Sequence, residues 1–334
     1  MSRVNTRRRF WIFALIAALG VAVFMTAGPP APSPTPQGAL SFAVLGDAPY
    51  YLWEDIRYRL VLKDLAAHDL HVVLHIGDIF WRPCSDGRYR RSRGWFNALP
   101  GPVIYTPGDN EWADCWSQQS GRFVPLERLR RLREIFFSSP HSLGARPVAL
   151  VTQAAQGSFK EFVENVRWTH EGLVFATVHL IGSGNGTERF PGRGPQDDEA
   201  VINRTAAATA WLHETFGEAK TAGAAAVILG FHANPSFERS PGDPERERYE
   251  PFLTALEEEV EAFGKPVLVA QGDDHIYLVD HPLVRRTTGR RLENLTRLQV
   301  PGSPNVGWVR VVVTPGAAPS FTFEERVVPR WKYW

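Results

Sequence analysis

Aspartates and histidines recur in this sequence directly behind short apolar runs, at or near a glycine. Six residues stand at these run ends: Asp47, Asp78, Asp109, His232, Asp273 and His275. Carboxylates and imidazoles are common protein ligands of divalent cations. A single Gly-Asp pair is usually only a turn, but four such pairs on one rim would repel one another unless cations neutralised them. The whole set therefore predicts a metal site.

The apolar runs that position these residues are predicted to be strands of an α/β domain. The candidate strands are Ser41–Leu45, Val72–Ile76, Pro102–Tyr105, Leu173–Val178, Ala224–Leu229 and Lys265–Ala270. Between them apolar residues recur at helical spacing, as at Leu253, Leu256, Val260 and Phe263. The carboxyl ends of strands in an open α/β sheet converge on one edge, where the six residues are expected to meet. Three later runs, Leu295–Val300, Trp308–Val313 and Phe321–Val328, lack intervening helices and predict an antiparallel addition.

The order of these motifs resembles that of the calcineurin-like metallophosphoesterase superfamily. Its pattern is Asp-x-His, Gly-Asp, Gly-Asn-His-Glu, a later His and Gly-His-x-His, and the matching segments here start at Asp47, Gly77, Gly108, His232 and Gly272. The loops at 46–50 and 107–112 resemble those of an uncharacterised exported bacterial branch. The resemblance covers about residues 41–281. It implies a four-layer α/β/β/α sandwich, with two mixed sheets flanked by helices and a dinuclear metal site at the strand ends.

The resemblance also implies a role for each ligand. Asp78 would bridge two divalent metals, with Asp47 and His275 completing the first site and Asp109, His232 and Asp273 the second. A hydroxide bridging the metals would attack a phosphomonoester, phosphodiester or pyrophosphate bond. The implied protein is a metal-dependent phosphoric ester hydrolase that acts on a phosphorylated small molecule or a nucleotide-like substrate.

Three histidines of the superfamily pattern are replaced, by Pro49, Asn110 and Asp273. A ligand set with more oxygen and less imidazole favours Mn²⁺, Mg²⁺ or Fe over a pure Zn²⁺ pair. Asn110, at the usual catalytic position, can donate a hydrogen bond to a phosphoryl oxygen but cannot deliver a proton. The replacements leave open an alternative function, a catalytically degenerate protein that binds metal or a phosphorylated ligand without turnover.

Three other residues are candidates for supporting roles. Tyr50 is a candidate to replace the missing histidine of the first site, and Glu111 is expected to orient a loop or a ligand. His179 and the glycine-rich loop 182–186 could face the substrate, and a plain flexible loop is an equal alternative.

The first forty residues predict export. Arg7, Arg8 and Arg9 precede an apolar run at 10–27, and a Pro-rich linker follows at 28–40. The run can just span a bilayer, so a cleaved signal and a retained membrane anchor at 1–27 are both open. Either places the phosphoesterase domain, 41–334, in the periplasm, outside the cell, or on the outer face of a membrane.

The placement of the two cysteines predicts a disulfide. Cys84 and Cys115 follow the Asp78 and Asp109 motifs, and an exported protein with cysteines so placed is predicted to join them, with two free thiols as the alternative.

The net charge of the chain is close to zero. The chain has 37 basic and 36 acidic residues, and without the four arginines of residues 1–40 the balance is 33 to 36, about −3. With no polybasic block, binding to a nucleic-acid backbone is not expected.

Overall fold

The computed structural model describes residues 34–316 and 318–329. The predicted signal or anchor at 1–27 and residues 28–33 of the predicted linker lie outside the described residues. The strands are β1 Leu40–Leu45, β2 Val73–His75, β3 Val103–Tyr105, β4 Val151–Thr152, β5 Val166–His170, β6 Leu173–Thr177, β7 Ala226–Gly230, β8 Val267–Gln271, β9 Leu278–Asp280, β10 Leu295–Gln299, β11 Gly307–Thr314 and β12 Ser320–Val327. The helices are α1 Leu52–Ala66, α2 Asp86–Asn97, α3 Pro125–Phe136, α4 Pro195–Thr221, α5 Pro244–Glu247 and α6 Glu250–Phe263. In the described ranges, no helix combines the length and the apolar character needed to cross a membrane.

The strands form two mixed sheets. The first has the order β12-β11-β1-β2-β3. Strands β1, β2 and β3 are parallel, β11 pairs antiparallel with β1, and β12 pairs antiparallel with β11. The second has the order β4-β5-β6-β7-β8-β10-β9, with β6, β7, β8 and β10 parallel and antiparallel strands at both edges. Parallel strands need crossover connections, and helices α1, α2, α4 and α6 lie in four of them, whereas the connection from β8 to β10 passes through β9.

Alternating side chains of β1 show how the layers stack. Phe42 and Val44 belong to the apolar core between the sheets, whereas Ala43 and Leu45 pack with α1 on the outer face. On the outer face of the second sheet the core is built from α4 and α6, whose side chains include Trp211. Helices therefore cover both outer faces, and the predicted four-layer α/β/β/α sandwich is confirmed.

Most predicted strands are present within one or two residues of their predicted ends. The prediction of one antiparallel C-terminal addition is wrong in part, because β10 pairs parallel to β8 in the second sheet while β11 and β12 complete the first. The helix predicted around Leu253–Phe263 ends as its sequence indicates. Gly264 follows it in the left-handed conformation, with φ 64°, which glycine adopts without penalty.

Candidate metal centre

The six predicted ligands lie together at the carboxyl ends of strands from both sheets. Asp47, Asp78 and Asp109 follow β1, β2 and β3 of the first sheet. His232 follows β7, and Asp273 and His275 follow β8 of the second sheet. Because the sheets pack face to face, the ends of their central parallel strands form one rim.

His232 lies at the centre of this cluster. Its Nε2 is 2.8 Å from Asp109 Oδ1, 3.5 Å from Asp78 Oδ1 and 3.6 Å from Asp273 Oδ1. Its Nδ1 is 3.0 Å from the carbonyl oxygen of Ile76. A carbonyl oxygen only accepts hydrogen bonds, so Nδ1 carries a proton and Nε2 is the atom presented to the three carboxylates. Metal-ligating histidines are commonly fixed in this way.

His275 is held in the same manner. Its Nδ1 is 2.7 Å from the carbonyl oxygen of Ser303. Its Nε2 is 3.1 Å from the Tyr50 hydroxyl oxygen and 3.8 Å from Asp47 Oδ1. Both imidazoles are therefore oriented so that Nε2 can bind a metal ion.

Asp47 supplies a direct test of whether a cation fits. Its Oδ1 accepts a hydrogen bond from the backbone N–H of Asp273, at 3.1 Å. Its Oδ2 is buried and has no hydrogen-bond partner among the described residues. Leaving a carboxylate oxygen buried and unsatisfied is costly, and a bound cation would remove that cost.

Ligand atoms within 4.8 Å of one another define two groups, Asp47–Asp78–His232 and Asp109–His232–Asp273. The second contains the residues predicted for the second site. The first has His232 where the prediction places His275. The residues that could hold metal therefore lie in two adjoining groups.

Four residues of the site have backbone conformations that are unfavourable for residues other than glycine. Asp47, Asp78, Asp273 and His275 have φ of 54°, 55°, 76° and 62°, a region that residues with a Cβ seldom adopt. Such conformations cluster at functional sites, where the surrounding structure enforces them. The glycine before Asp109 serves close approach, because a Cβ on Gly108 would lie 2.1 Å from Asp78 Oδ1.

The crowding of carboxylates changes their acidity. Burial raises the pKa of Asp47 to about 7, with Asp273 adding repulsion and His232 opposing the shift. Burial likewise raises the pKa of Asp273 to about 6, again opposed by His232. Near neutral pH the carboxyl groups of the cluster are therefore partly protonated, and binding of a metal ion would release these protons.

Asn110 and Glu111 follow Asp109 but contact different groups. The backbone N–H of Asn110 donates to Asp78 Oδ1 at 3.1 Å, and its side-chain amide donates to Asp78 Oδ2. Glu111 accepts from the backbone N–H groups of Ile79 at 2.8 Å and Gly108 at 3.1 Å. Glu111 thus ties the loops after β2 and β3 together, whereas Asn110 reaches the cluster itself.

Tyr50 reaches the cluster from the loop between β1 and α1. Its hydroxyl donates to Asp78 Oδ2 and lies 3.1 Å from His275 Nε2. Burial and the neighbouring Asp78 raise the pKa of Tyr50 well above its usual value, so the phenol stays protonated. It therefore contacts Asp78 and His275, two of the three ligands of the predicted first site.

Ser183 contacts the site and was not singled out by sequence reasoning. Its hydroxyl is 2.6 Å from Asp109 Oδ2 and 2.9 Å from Asp114 Oδ1. The contact depends on a left-handed turn in which Ser183, Gly184 and Asn185 have φ of 49°, 59° and 54°. The only sequence signal is the glycine-rich stretch 182–186, which does not indicate where the serine hydroxyl lies.

His179 lies behind the site. The side chain is fully buried, Nδ1 is 2.7 Å from Glu164 Oε1, and the ring meets Trp112 edge-on with centroids 5.7 Å apart. Glu164 is also paired with Arg133, at 2.7 Å. The structure therefore places His179 in a buried charge network, with no solvent-exposed surface for a substrate. The following stretch 182–186 forms the left-handed turn that carries Ser183.

Cys84 and Cys115 are joined by a disulfide, with Cα atoms 5.7 Å apart. Both side chains are fully buried, one in the segment after β2 and the other after β3. The bridge connects the two segments that supply Asp78 and Asp109. Disulfides persist mainly in oxidising compartments, so this one favours an exported protein.

Comparison with known proteins supports the fold. No family model matches the chain, and no curated protein matches it. Among similar solved structures is one titled "Structure of PhoD", at 14% sequence identity and a TM-score of 0.53, covering 89% of this chain and 70% of that one. At this level of identity the similarity establishes the fold and leaves the activity to the site.

Proposed function

We propose that this chain is an exported metal-dependent phosphoesterase, which uses two divalent cations to hydrolyse a phosphomonoester, phosphodiester or pyrophosphate bond. One observation carries the proposal. His232 and His275 each have Nδ1 fixed by a backbone carbonyl and Nε2 turned toward buried carboxylates. Metal-ligating histidines are commonly held in this way, and here both of the presented Nε2 atoms face carboxylates.

The proposed ligand roles are those of the sequence prediction, in which the two sites share Asp78 and His275 completes the first, whereas the two groups of close ligand atoms share His232. Asp78 would contact both cations, because it lies between His232 on one side and Tyr50 on the other. Asp47 and His275 would complete the first site, and Asp109, His232 and Asp273 the second. Divalent cations at these positions supply positive charge that polarises phosphoryl oxygens and lowers the pKa of water. Because most of the donors are oxygens, Mn²⁺, Mg²⁺ or Fe is expected before Zn²⁺.

The chain's own residues then orient the phosphoryl group. The Asn110 amide has two N–H groups; one donates to Asp78, and the other is free to donate to a phosphoryl oxygen. Ser183 holds Asp109 in position through its hydroxyl. Neither amide nor hydroxyl is an effective acid at neutral pH. The departing oxygen is therefore left without a proton donor from these residues.

The replaced histidines favour a second candidate, a protein that binds metal or a phosphorylated ligand without turnover. Metal reconstitution of the purified chain separates the two, with binding measured by elemental analysis and hydrolysis tested on aryl phosphomonoesters, aryl diesters and nucleotide pyrophosphates. Metal-dependent hydrolysis that is lost in Asp109→Ala supports the phosphoesterase. Metal binding without hydrolysis supports the second candidate, and absence of metal binding contradicts the phosphoesterase.

A further inference from the structure

Exposed apolar side chains are concentrated in two segments that adjoin residues of the metal centre in the sequence. Of the 13 large hydrophobic residues that are exposed in the described chain, eight lie in two short segments, 51–60 and 276–279. The first segment begins four residues after Asp47 and the second directly follows His275. The eight are Tyr51, Leu52, Trp53, Ile56, Leu60, Ile276, Leu278 and Val279. Scattered exposed hydrophobics need no explanation, but a cluster on both sides of a site does.

Helix α1 carries most of this cluster and has an unusual exposed face. Leu52, Trp53 and Ile56 are 72%, 64% and 63% exposed. The cations Arg59 and Lys63 are exposed further along the same face. The acidic residues of α1 are instead all buried: Glu54, Asp55 and Asp64. The α1 docking face, defined as Leu52, Trp53, Ile56, Arg59, Leu60 and Lys63, therefore presents apolar and positively charged groups and no acid.

Aromatic rings connect this face with the metal centre. Tyr51 stacks on Trp53 with centroids 4.4 Å apart and meets the Trp81 ring at 5.4 Å. Trp81 lies 6.3 Å from the ring of Tyr50, which in turn meets the His275 ring at 5.1 Å. Tryptophan and tyrosine are enriched where proteins meet the lipid–water boundary. A chain of ring contacts thus links the α1 docking face to the metal centre.

The neighbouring helix adds positive charge. Helix α2 contains four arginines and one aspartate. It lies against α1, where Arg91 pairs with Asp55 and the rings of Trp95 and Tyr58 are 5.2 Å apart. Apolar groups beside a surplus of cations complement an anionic lipid surface. A symmetric contact with a second copy would instead bring Arg59 and Lys63 toward like charges.

We propose that the α1 docking face binds an anionic lipid bilayer and holds the metal centre at the bilayer surface, where it acts on a phosphate group carried by a membrane lipid. Leu52, Trp53 and Ile56 enter the boundary between head groups and acyl chains, and Arg59 and Lys63 contact lipid phosphates. The lipid substrate class rests on the proposed phosphoesterase function. The docking does not.

Site-specific fluorescence tests the docking on the full chain. Ile56→Cys carries a polarity-sensitive label, and the matched control is Ile202→Cys on α4, where the native side chain is 67% exposed. Since Cys84 and Cys115 are joined and are the chain's two cysteines, each variant has one free thiol. Vesicles of phosphatidylcholine with phosphatidylglycerol should shift the Ile56→Cys label to the blue and leave the Ile202→Cys label unchanged. Both proteins carry residues 1–33, so binding through that segment is common to them.

Charge removal sharpens the test. In the labelled Ile56→Cys protein, Arg59→Ser and Lys63→Ser should each raise the lipid concentration for half-maximal shift by about five-fold. Pure phosphatidylcholine vesicles should show the same weakening. No shift at position 56, an equal shift at position 202, or a shift that grows with protein concentration in the absence of lipid would overturn the docking.

A kinetic comparison tests the substrate class separately. Leu52→Ser/Ile56→Ser should lower turnover of diacylglycerol pyrophosphate, whose leaving group needs no general acid, in anionic vesicles at least ten-fold more than turnover of a soluble aryl phosphate. Docking with hydrolysis of the aryl ester but none of the vesicle lipid would reject a lipid phosphate as substrate. If neither ester is hydrolysed while the label still enters the bilayer, the proposed function fails and the docking stands.

Discussion

At the scale of single residues, Asp78 accepts more hydrogen bonds than the other predicted carboxylate ligands of the metal centre. It accepts from the backbone and side chain of Asn110 and from the Tyr50 hydroxyl, and its Oδ1 lies 3.5 Å from His232 Nε2. The proposed roles give Asp78 contact with both cations and Asp47 contact with the first alone. Substitution of Asp78 and substitution of Asp47 are therefore expected to remove different numbers of bound metal ions.

Asp78→Ala should leave the chain without a dinuclear centre, and Asp47→Ala should mainly empty the first site. Elemental analysis after dialysis against a metal buffer measures both, with a far-ultraviolet circular dichroism spectrum to check folding. Asp78→Asn, which keeps the shape and one acceptor oxygen, should lose less metal than the alanine variant. Two metals per chain in folded Asp78→Ala would refute the bridging role.

Asn110 predicts a steep dependence on the leaving group. A general acid typically contributes about 10²–10⁴ in rate, most of all when the leaving group is poor. The Asn110 amide cannot provide it, so aryl phosphates or pyrophosphates should be cleaved far faster than alkyl monoesters. Asn110→His should help alkyl esters more than aryl esters if the imidazole reaches the leaving oxygen. Equal wild-type rates on a matched alkyl and aryl series, with chemistry rate-limiting, would mean that another acid is present.

Ser183 is expected to act on Asp109 and not on the substrate. Burial would raise the pKa of Asp109, but hydrogen bonds from His232 and Ser183 lower it. Losing a partner behind a metal ligand typically costs about 10–100-fold in metal affinity, so Ser183→Ala should weaken metal binding by that factor. Ser142→Ala is the matched control, since that buried hydroxyl accepts from Val148 at 2.9 Å, far along the chain from the site. If isothermal titration calorimetry gave Ser183→Ala the same metal dissociation constant as the wild type, a role of Ser183 in positioning Asp109 would be excluded.

At the scale of elements, the strands leading to the site could be predicted because they are buried on both faces. Such strands appear in a sequence as short continuous apolar runs, and β1, β7 and β8 have this character. The edge strands β4 and β9 are short and partly exposed, so they gave no comparable signal. The pairing of β10 with β8 depends on tertiary packing, which a local pattern does not encode.

The left-handed turn at 182–186 lay beyond sequence prediction for a related reason. The Asn185 N–H donates to the Tyr249 hydroxyl at 2.9 Å, and Arg204 donates to the Asn185 carbonyl oxygen at 2.5 Å. These partners come from distant parts of the chain and hold serine and asparagine where they would otherwise be unfavourable. The turn places Ser183, so its discovery required the three-dimensional structure.

The disulfide should stabilise the two segments that supply Asp78 and Asp109. For a separation of 31 residues, the chain-entropy model gives about 3–4 kcal/mol. Cys84→Ala/Cys115→Ala should lower the free energy of unfolding by about that amount in a urea titration. Reductant should destabilise the wild type and leave the variant unchanged. Two reactive thiols in denatured, unreduced wild-type protein would show that the bridge does not form.

At the scale of the whole molecule, the metal centre exists because two sheets meet. The first sheet supplies Asp47, Asp78 and Asp109, and the second supplies His232, Asp273 and His275. Neither sheet alone could hold the proposed pair of cations. The four-layer arrangement followed from the resemblance in motif order, not from composition or periodicity, and the core between the sheets now explains it physically.

The central claim, that this shared rim holds two divalent cations, is tested most directly by anomalous diffraction from crystals of the full chain grown with Mn²⁺. We predict two anomalous peaks flanking the Asp78 carboxylate, one contacting Asp47 and His275 and the other contacting Asp109, His232 and Asp273. Asp78→Ala crystals should lose at least one peak under the same conditions. A wild-type map with no peak at the rim, or with Mn²⁺ bound only elsewhere on the chain, would contradict the claim.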